Sequence, residues 1–386
     1  MPAERVVVGF IPLLDCAALV AAAECGFAAQ EGLDLRLVRE TSWANIRDRL
    51  IVGQFDAAHM LAPMVIATTL GVGHLEVPLI APVALGSGGN AITLASRLRA
   101  ALSAAGGGVT LDPARQGAAL RAIVRARAES GEPPLRLAMV YPFSCHNYEL
   151  RYWLAASGID PDEAVRLVVM PPPLLVDALR EGQVDGFCVG EPWSSVAVAA
   201  GVGDIVTTGT RIWPAAPEKV LGLRRDVHES TPERTLALVR AIVRGAAWCE
   251  RPGNREELAR LLAGPRYVGV PASILRAGLE GSLTPRQSSA PLSEPQFLSL
   301  WRNHATFPWR SHPAWLVRAM ERWGQATLTP ARDRAARASW RPDLYRRAVE
   351  PLRLALPPVD ERREAFFDGA VFDAVHDDGA PPGPTH

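Results

Sequence analysis

Apolar residues in the first fifty positions fall into two alternating kinds of run. "RVVVGFIPL" (5–13) is short, β-branched and continuous, as a strand buried on both faces requires. "CAALVAAAECG" (16–26) is longer, alanine-rich and ends at a glycine, the pattern of a buried helix, with Asp15 before it as a candidate N-cap. The plan then repeats. "LDLRLVRE" predicts a strand, and Ser42-Trp43 opens a helix through "NIRDRLIVG". Such strand–helix alternation predicts an open α/β sheet.

A second stretch runs the same way. "LRLAMVYPF" and "VRLVVM" predict strands, while "NYELRYWLAASG" and "PLLVDALREG" predict helices. Two short echoes tie the stretches together. "VGQFDAAHM" (Gly53, Gln54, Asp56, Ala57) matches "EGQVDGFCV" (Gly182, Gln183, Asp185, Gly186), and Gly32-Leu33-Asp34 matches Gly158-Ile159-Asp160. We therefore expect two similar α/β lobes, a division that the 386-residue length also favours. From residue 230 the pattern turns helical: Thr231-Pro232-Glu233 leads into "RTLALVRAIVRGAAWCE", followed by "EELARLLAG", "ILRAGLEG" and "AWLVRAMERWG". The expected division is lobe I over 1–95, lobe II over 96–209, a return to lobe I with C-terminal helices over 210–369, and a proline-rich tail without fixed structure over 370–386.

Composition narrows the function classes. Acidic and basic residues balance at 41 each, which gives no general attraction to nucleic acid or to an acidic membrane surface. Five widely spaced cysteines without a C-x-x-C pair suit reduced thiols better than a disulfide framework. The apolar N-terminal run is broken by Pro12 and Asp15 and lacks a convincing cleavage site, so the expectation is a cytoplasmic protein without an export signal. One of the 41 basic residues is lysine, Lys219, and all the others are arginine. Chance in an arginine-biased composition is one reading. The other is that a compact ammonium here does what a planar guanidinium cannot.

Candidate chemistry gathers at predicted strand–helix junctions, which in an open α/β sheet line the crevice at the carboxyl ends of the strands. Trp43 in "TSWANIRD" and His146 in "SCHNYELRYW" stand at helix starts, where free backbone N–H groups favour an anion. A core tryptophan and a satisfied structural histidine are the alternatives. Asn90 follows three glycines in "GSGGNAIT", a run without the ending of a nucleotide loop and equally readable as a turn. Glu218 precedes Lys219 and is readable as the partner of a surface arginine. Glu191 and Trp193 in "CVGEPWS" follow a strand, with no second carboxylate or histidine beside Glu191 in sequence to suggest a dyad. His59 and the cysteines lack metal-ligand spacing, and neither G-x-S-x-G nor H-E-x-x-H occurs.

Taken in order, "SWANIRD", "DAAHMLAPM", "GNAIT", "RYWLAASGIDP", "CVGEPWS", "PEKVLG" and "ATFPWRSHPAW" resemble the nitrate/bicarbonate solute-binding proteins of ABC importers, over residue 8 to about residue 330. The resemblance implies a two-lobed, periplasmic-binding-protein-like (type II) α/β clamshell with a helical C-terminal region. It also implies a nitrate or nitrite site at Trp43, Asn90, His146 and Lys219, with Asp15, His59, Glu191 and Trp193 as further cleft-lining candidates. No metal and no cofactor are implied. The family's nitrate binders carry Gln where Asn90 stands, one methylene longer. Its bicarbonate binders carry an acidic residue near the lysine position and use calcium, so Lys219 favours nitrate or nitrite. One ammonium ~4 Å from a monoanion, at an effective dielectric of about 20, contributes roughly 4 kcal/mol before desolvation.

Without an export signal, the chain resembles most closely the NasS-type cytoplasmic sensors of this family. These hold a NasT-type antiterminator, a protein with an RNA-binding domain, and release it when nitrate or nitrite binds. The neutral net charge fits a protein that touches RNA only through such a partner. A binding component of a nitrate importer is the second reading. An enzyme of the pyrimidine-precursor synthase type, which shares the clamshell, is the third, though the iron-dependent His or Cys cluster that it needs is not evident.

Overall fold

A computed structural model describes residues 3–375. The first lobe begins with strands β1 (Glu4–Phe10), β2 (Leu33–Arg39), β3 (Ala57–Leu61) and β4 (Leu79–Ile80). The chain then builds a second sheet from β5 (Asn90–Ala95), β6 (Arg136–Met139), β7 (Arg166–Val169), β8 (Gly186–Gly190) and β9 (Gly203–Thr208). It returns as β10 (Lys219–Arg224). Among the described residues the two five-stranded sheets run β2-β1-β3-β10-β4 and β7-β6-β8-β5-β9.

The two orders are one plan used twice. β1 pairs parallel with β2 and β3, as β6 does with β7 and β8. β10 then lies antiparallel to β3, as β5 lies antiparallel to β8. The sequence echoes fall at matching places in this plan. Asp56 Oδ2 accepts from the Val7 N–H at 2.8 Å, and Asp185 Oδ2 accepts from the Arg136 N–H at 2.7 Å. Each aspartate ties the entry of one central strand to its neighbour, while Gly53 and Gly182 turn the preceding helices at φ +76 and +70. β3 and β8 are buried throughout, as central strands covered on both faces must be.

Helices α1 (Ala17–Glu24) and α2 (Trp43–Ile51) belong to the first lobe, and α3 (Cys145–Ala156) and α4 (Trp193–Ala199) to the second. The alanines of α1 let it lie close against the long helix α5 (Pro232–Glu250), and its first six residues are fully covered. Asp15 does not cap α1. It sits in the turn Leu14–Cys16, and its side chain is drawn away by a cation described below.

Two expected boundaries move. Asn90–Ala95, expected at the end of lobe I, hydrogen-bonds with β8 and β9, so the second sheet begins at Asn90. The glycines before it serve the crossing between lobes. Ser87–Gly88 pairs with Leu298–Ser299, and a Cβ on Gly88 (φ +72) would meet the Phe297 carbonyl oxygen at 2.5 Å. Residues 371–373, expected in the tail, form a strand. Val371–Asp373 pairs with Arg363–Ala365, Phe366 between them stacks on Tyr152 of α3 at 4.7 Å, and the Tyr152 hydroxyl donates to Asp368. Buried aromatic area outweighs the polarity of this short segment. Residues 376–386 of the expected tail lie outside the described residues.

Candidate functional site

The doubled plan fixes where side chains from the two lobes meet. β10 begins at Lys219, opposite Leu61 at the end of β3, and β5 begins at Asn90, opposite Gly190 at the end of β8. Lys219 and Asn90 are therefore equivalent positions in the two halves. Asp15 follows β1 as His146 follows β6. Trp43 opens α2 behind the Ser42 N-cap, whose hydroxyl accepts from Asn45 N–H at 3.2 Å. The lobes join here, with Leu14 N–H donating to the Glu191 carbonyl at 2.7 Å.

Trp43, Asn90, His146 and Lys219, singled out from separate stretches of sequence, come together and are all at most 1% exposed. The Lys219 ammonium lies 2.9 Å from Asp15 Oδ2, contacts Glu218 Oε1, and is 5.5 Å from the centre of the Trp43 ring. Asn90 Nδ2 donates to Glu218 Oε2 at 2.5 Å and to Glu149 Oε2 at 3.0 Å. His146 Nε2 accepts from the Gly190 N–H at 3.1 Å and lies 3.5 Å from Glu218 Oε1. Because Nε2 accepts, the neutral ring carries its proton on Nδ1. That nitrogen and the Trp43 indole nitrogen are buried with no hydrogen-bond partner among the described residues.

Electrostatics sorts these groups. Burial pushes the Lys219 pKa down, but Asp15 and Glu218 outweigh it and the ammonium titrates above its ordinary range. Burial pushes Asp15 up, yet Lys219 and then His59 hold its carboxyl well below the usual range. Glu149 is pushed up to about 8 by burial and then by the charge of Glu218. Burial also raises Glu218, with Lys219 opposing. His146 is driven well below 6.5 by burial and by the Lys219 charge, and His59 is lowered by burial against the pull of Asp15. At neutral pH the site thus holds a charged lysine, a charged aspartate, neutral imidazoles and a protonated Glu149.

The other candidates divide. Asp15 meets Lys219 directly, and His59 supports it from behind. The His59 Nε2 lies 3.0 Å from Asp15 Oδ1, too poorly aligned for a good hydrogen bond, and its ring is 5.6 Å from that of Trp43. Glu191 brings its backbone to the lobe junction, but its carboxyl turns to Ser195, accepting from the backbone N–H and the hydroxyl. Trp193 opens α4, partly buried, and its indole N–H makes no hydrogen bond to the cluster.

Two glutamates were misjudged or missed from sequence. Glu218 is no surface partner of an arginine. It is 2% exposed and bound to Lys219 and Asn90, because the next residue, Lys219, opens β10 inside the first sheet beside β3. Glu149, inside "NYELRYW", was not singled out. Only the run of buried neighbours on that helix marks it.

A family model described as NMT1-like matches residues 1–263, most of both lobes. The chain belongs to the NMT1-like family. Its relatives include the nitrate/nitrite binding protein NrtA of Synechococcus elongatus, 33% identical over 381 residues that cover 96% of this chain and 84% of that protein. The nitrate import ATP-binding protein NrtC of Synechocystis sp. PCC 6803 is 35% identical over 366 residues, 94% of this chain. The chain spans about half of that longer relative, 52%. The crystal structure of the periplasmic nitrate-binding protein NrtA from Synechocystis PCC 6803 superposes with a TM-score of 0.88 at 29% identity, covering 97% of this chain and 96% of that one. This NMT1-like chain therefore has the periplasmic-binding-protein fold that its doubled strand order describes.

Proposed function

We propose that this protein binds nitrate or nitrite between its lobes, at Lys219, Asn90, His146 and Trp43, and acts as an intracellular sensor of that ion. One observation carries the ligand class: two buried hydrogen-bond donors, the Trp43 indole and the His146 Nδ1–H, have no partner among the described residues, beside the single lysine. An unmet buried donor costs about 1–3 kcal/mol, and an oxyanion accepts from both. The likeness to relatives named for nitrate and nitrite supports the same ligand.

The intracellular reading draws on two features. The apolar N-terminal run belongs to the fold, since residues 4–24 form β1, a buried turn and α1. The five cysteines are all free, four of them buried. The sensor works by population shift: the ion favours the closed arrangement of lobes, and a NasT-type antiterminator favours the other. Linkage makes the coupling reciprocal, so the ion weakens the partner by the factor by which the partner weakens the ion. The second reading, an importer's binding component, requires the protein outside the cytoplasm, which cell fractionation decides.

Calorimetric titration with nitrate, nitrite and bicarbonate, on wild type and Trp43→Phe, tests the ligand. Saturable binding of nitrate or nitrite is expected, weakened roughly 10- to 100-fold in the variant by loss of one donor to a charged ligand. Binding of bicarbonate alone, or unchanged affinity in Trp43→Phe, would sink the assignment.

A further inference from the structure

An anion site should leave its cation free, yet Lys219 is met by two carboxylates. One of them stands where a ligand would. The Glu218 carboxylate contacts Lys219 Nζ with Oε1, accepts from Asn90 Nδ2 with Oε2 at 2.5 Å, and lies 3.5 Å from His146 Nε2. A carboxylate is planar, carries one negative charge and offers two oxygens. Nitrate is planar, carries the same charge and offers three. Two of the four residues assigned to the ion, Lys219 and Asn90, are thus engaged by a group of the protein with nearly the ion's own shape, while His146 Nε2 stands near it as an acceptor already bound to Gly190 N–H.

We infer that Glu218 is a tethered occupant of the oxyanion site, displaced when a planar monoanion binds to Lys219 and Asn90. The inference rests on the nitrate reading and deepens it: affinity is set by competition with Glu218, and the displaced side chain is what distinguishes the bound from the free state. Asp15 is the fixed counter-ion. It holds Lys219 from the first lobe and is braced by His59, whereas Glu218 bonds both to Lys219 and, across the lobe junction, to Asn90.

Charge balance adds a consequence. The groups facing Glu218 are Lys219 and Asp15, His146 and Glu149 on α3, and the Cys145 and Cys188 thiols. Lys219 is their only cation. With Asp15 and Glu218 both ionised against Lys219 the buried set already carries one excess negative charge, and an added monoanion doubles it unless a proton from solvent comes with it, onto the freed Glu218 carboxylate. Ion binding is therefore accompanied by uptake of about one proton, seen as an observed enthalpy that varies with the ionisation heat of the buffer.

The test uses Glu218→Ala and Glu218→Gln in the full chain. In Glu218→Ala, formate supplies the missing carboxylate: 20 mM sodium formate is expected to raise its melting temperature by several degrees and to leave wild type unmoved, against sodium chloride as control. Nitrate is expected to bind Glu218→Ala at least tenfold more tightly than wild type, without the buffer dependence. Formate rescue with no nitrate binding to either protein supports the tethered carboxylate and overturns the nitrate reading. Nitrate binding to wild type, with no formate response and no gain in the variant, keeps the nitrate reading and overturns the inference. If Glu218→Ala does not fold, Glu218→Gln decides by calorimetry. Tighter nitrate binding supports displacement, and equal or weaker binding marks Glu218 as a fixed partner of Lys219.

Discussion

Glu149→Gln should remove a pH dependence of stability that the wild type carries. The carboxyl is buried on α3, accepts from Asn90 Nδ2 at 3.0 Å and is held up at about 8, against 4.5 in an unfolded chain. Between those values the folded protein keeps a proton that the unfolded chain has released. Stability from this group is therefore fully present below about pH 4.5 and is lost as pH rises through 8. Each pH unit inside that window costs about 1.4 kcal/mol, so the step from pH 5.5 to 7.5 costs about 3 kcal/mol. The buried histidines act in the opposite sense, since His59, His146 and His312 are lowered and their contribution is lost as pH falls below 6.5. They are present in both proteins and largely cancel in the difference. Glutamine keeps the acceptor for Asn90 and carries no charge. Urea unfolding of both proteins at pH 5.5 and 7.5 measures the effect. The variant's stability relative to wild type should rise by about 3 kcal/mol between the two pH values. A relative stability that stays constant to within ~1 kcal/mol would refute the claim that Glu149 is held neutral by burial and Glu218.

Further substitutions separate site from scaffold. A Cβ on Gly190 would lie 3.5 Å from Asn90 Oδ1 and 3.6 Å from Asp15 Oδ2, in ordinary contact, so Gly190→Ala should keep the melting temperature within ~3 °C while nitrate affinity falls at least ~tenfold in calorimetry. Lys219→Met leaves Asp15 and Glu218 buried without their cation and should cost about 3–5 kcal/mol in urea unfolding at pH 7, part of which Glu218→Gln on the same chain restores. Gly88→Ala drives a Cβ to 2.5 Å from the Phe297 carbonyl oxygen at φ +72 and should cost more than ~2 kcal/mol, whereas Gly182→Ala, at φ +70 with nothing within 4 Å, should cost only about 1 kcal/mol. Equal losses at the two glycines would contradict the tight crossing at Gly88.

The fold was legible where local pattern and global plan agree. Apolar runs marked β1, β2, β6 and β7, whereas the central strands β3 (AAHML) and β8 (GFCVG) carry no β-branched run, and the two Gly-Gln-x-Asp echoes marked the same turn in each half because each aspartate performs the same backbone task. Asn90–Ala95 was placed in the wrong lobe because an apolar strand does not say which sheet will accept it. The terminal hairpin was missed because it depends on Tyr152, more than two hundred residues earlier in the chain. At the site, Lys219 was found through its rarity, and Trp43 and His146 through their place at helix starts. Glu149 and Glu218 gave no such signal. A glutamate on a helix or before a strand is ordinarily solvated, and the Asn90 amide, 59 and 128 residues away, joins these two in one buried network. Asp15 looked like a helix cap for the same reason: its counter-ion lies two hundred residues away in sequence.

The central claim is that an oxyanion binds between Lys219, Asn90, His146 and Trp43. The most direct test is a crystal structure of the protein grown with nitrate. The account predicts planar density in contact with Lys219 Nζ and Asn90 Nδ2, with the Glu218 carboxylate turned away from both. Nitrate found elsewhere, or a Glu218 carboxylate still bound to Lys219 and Asn90 at saturating nitrate, would contradict it.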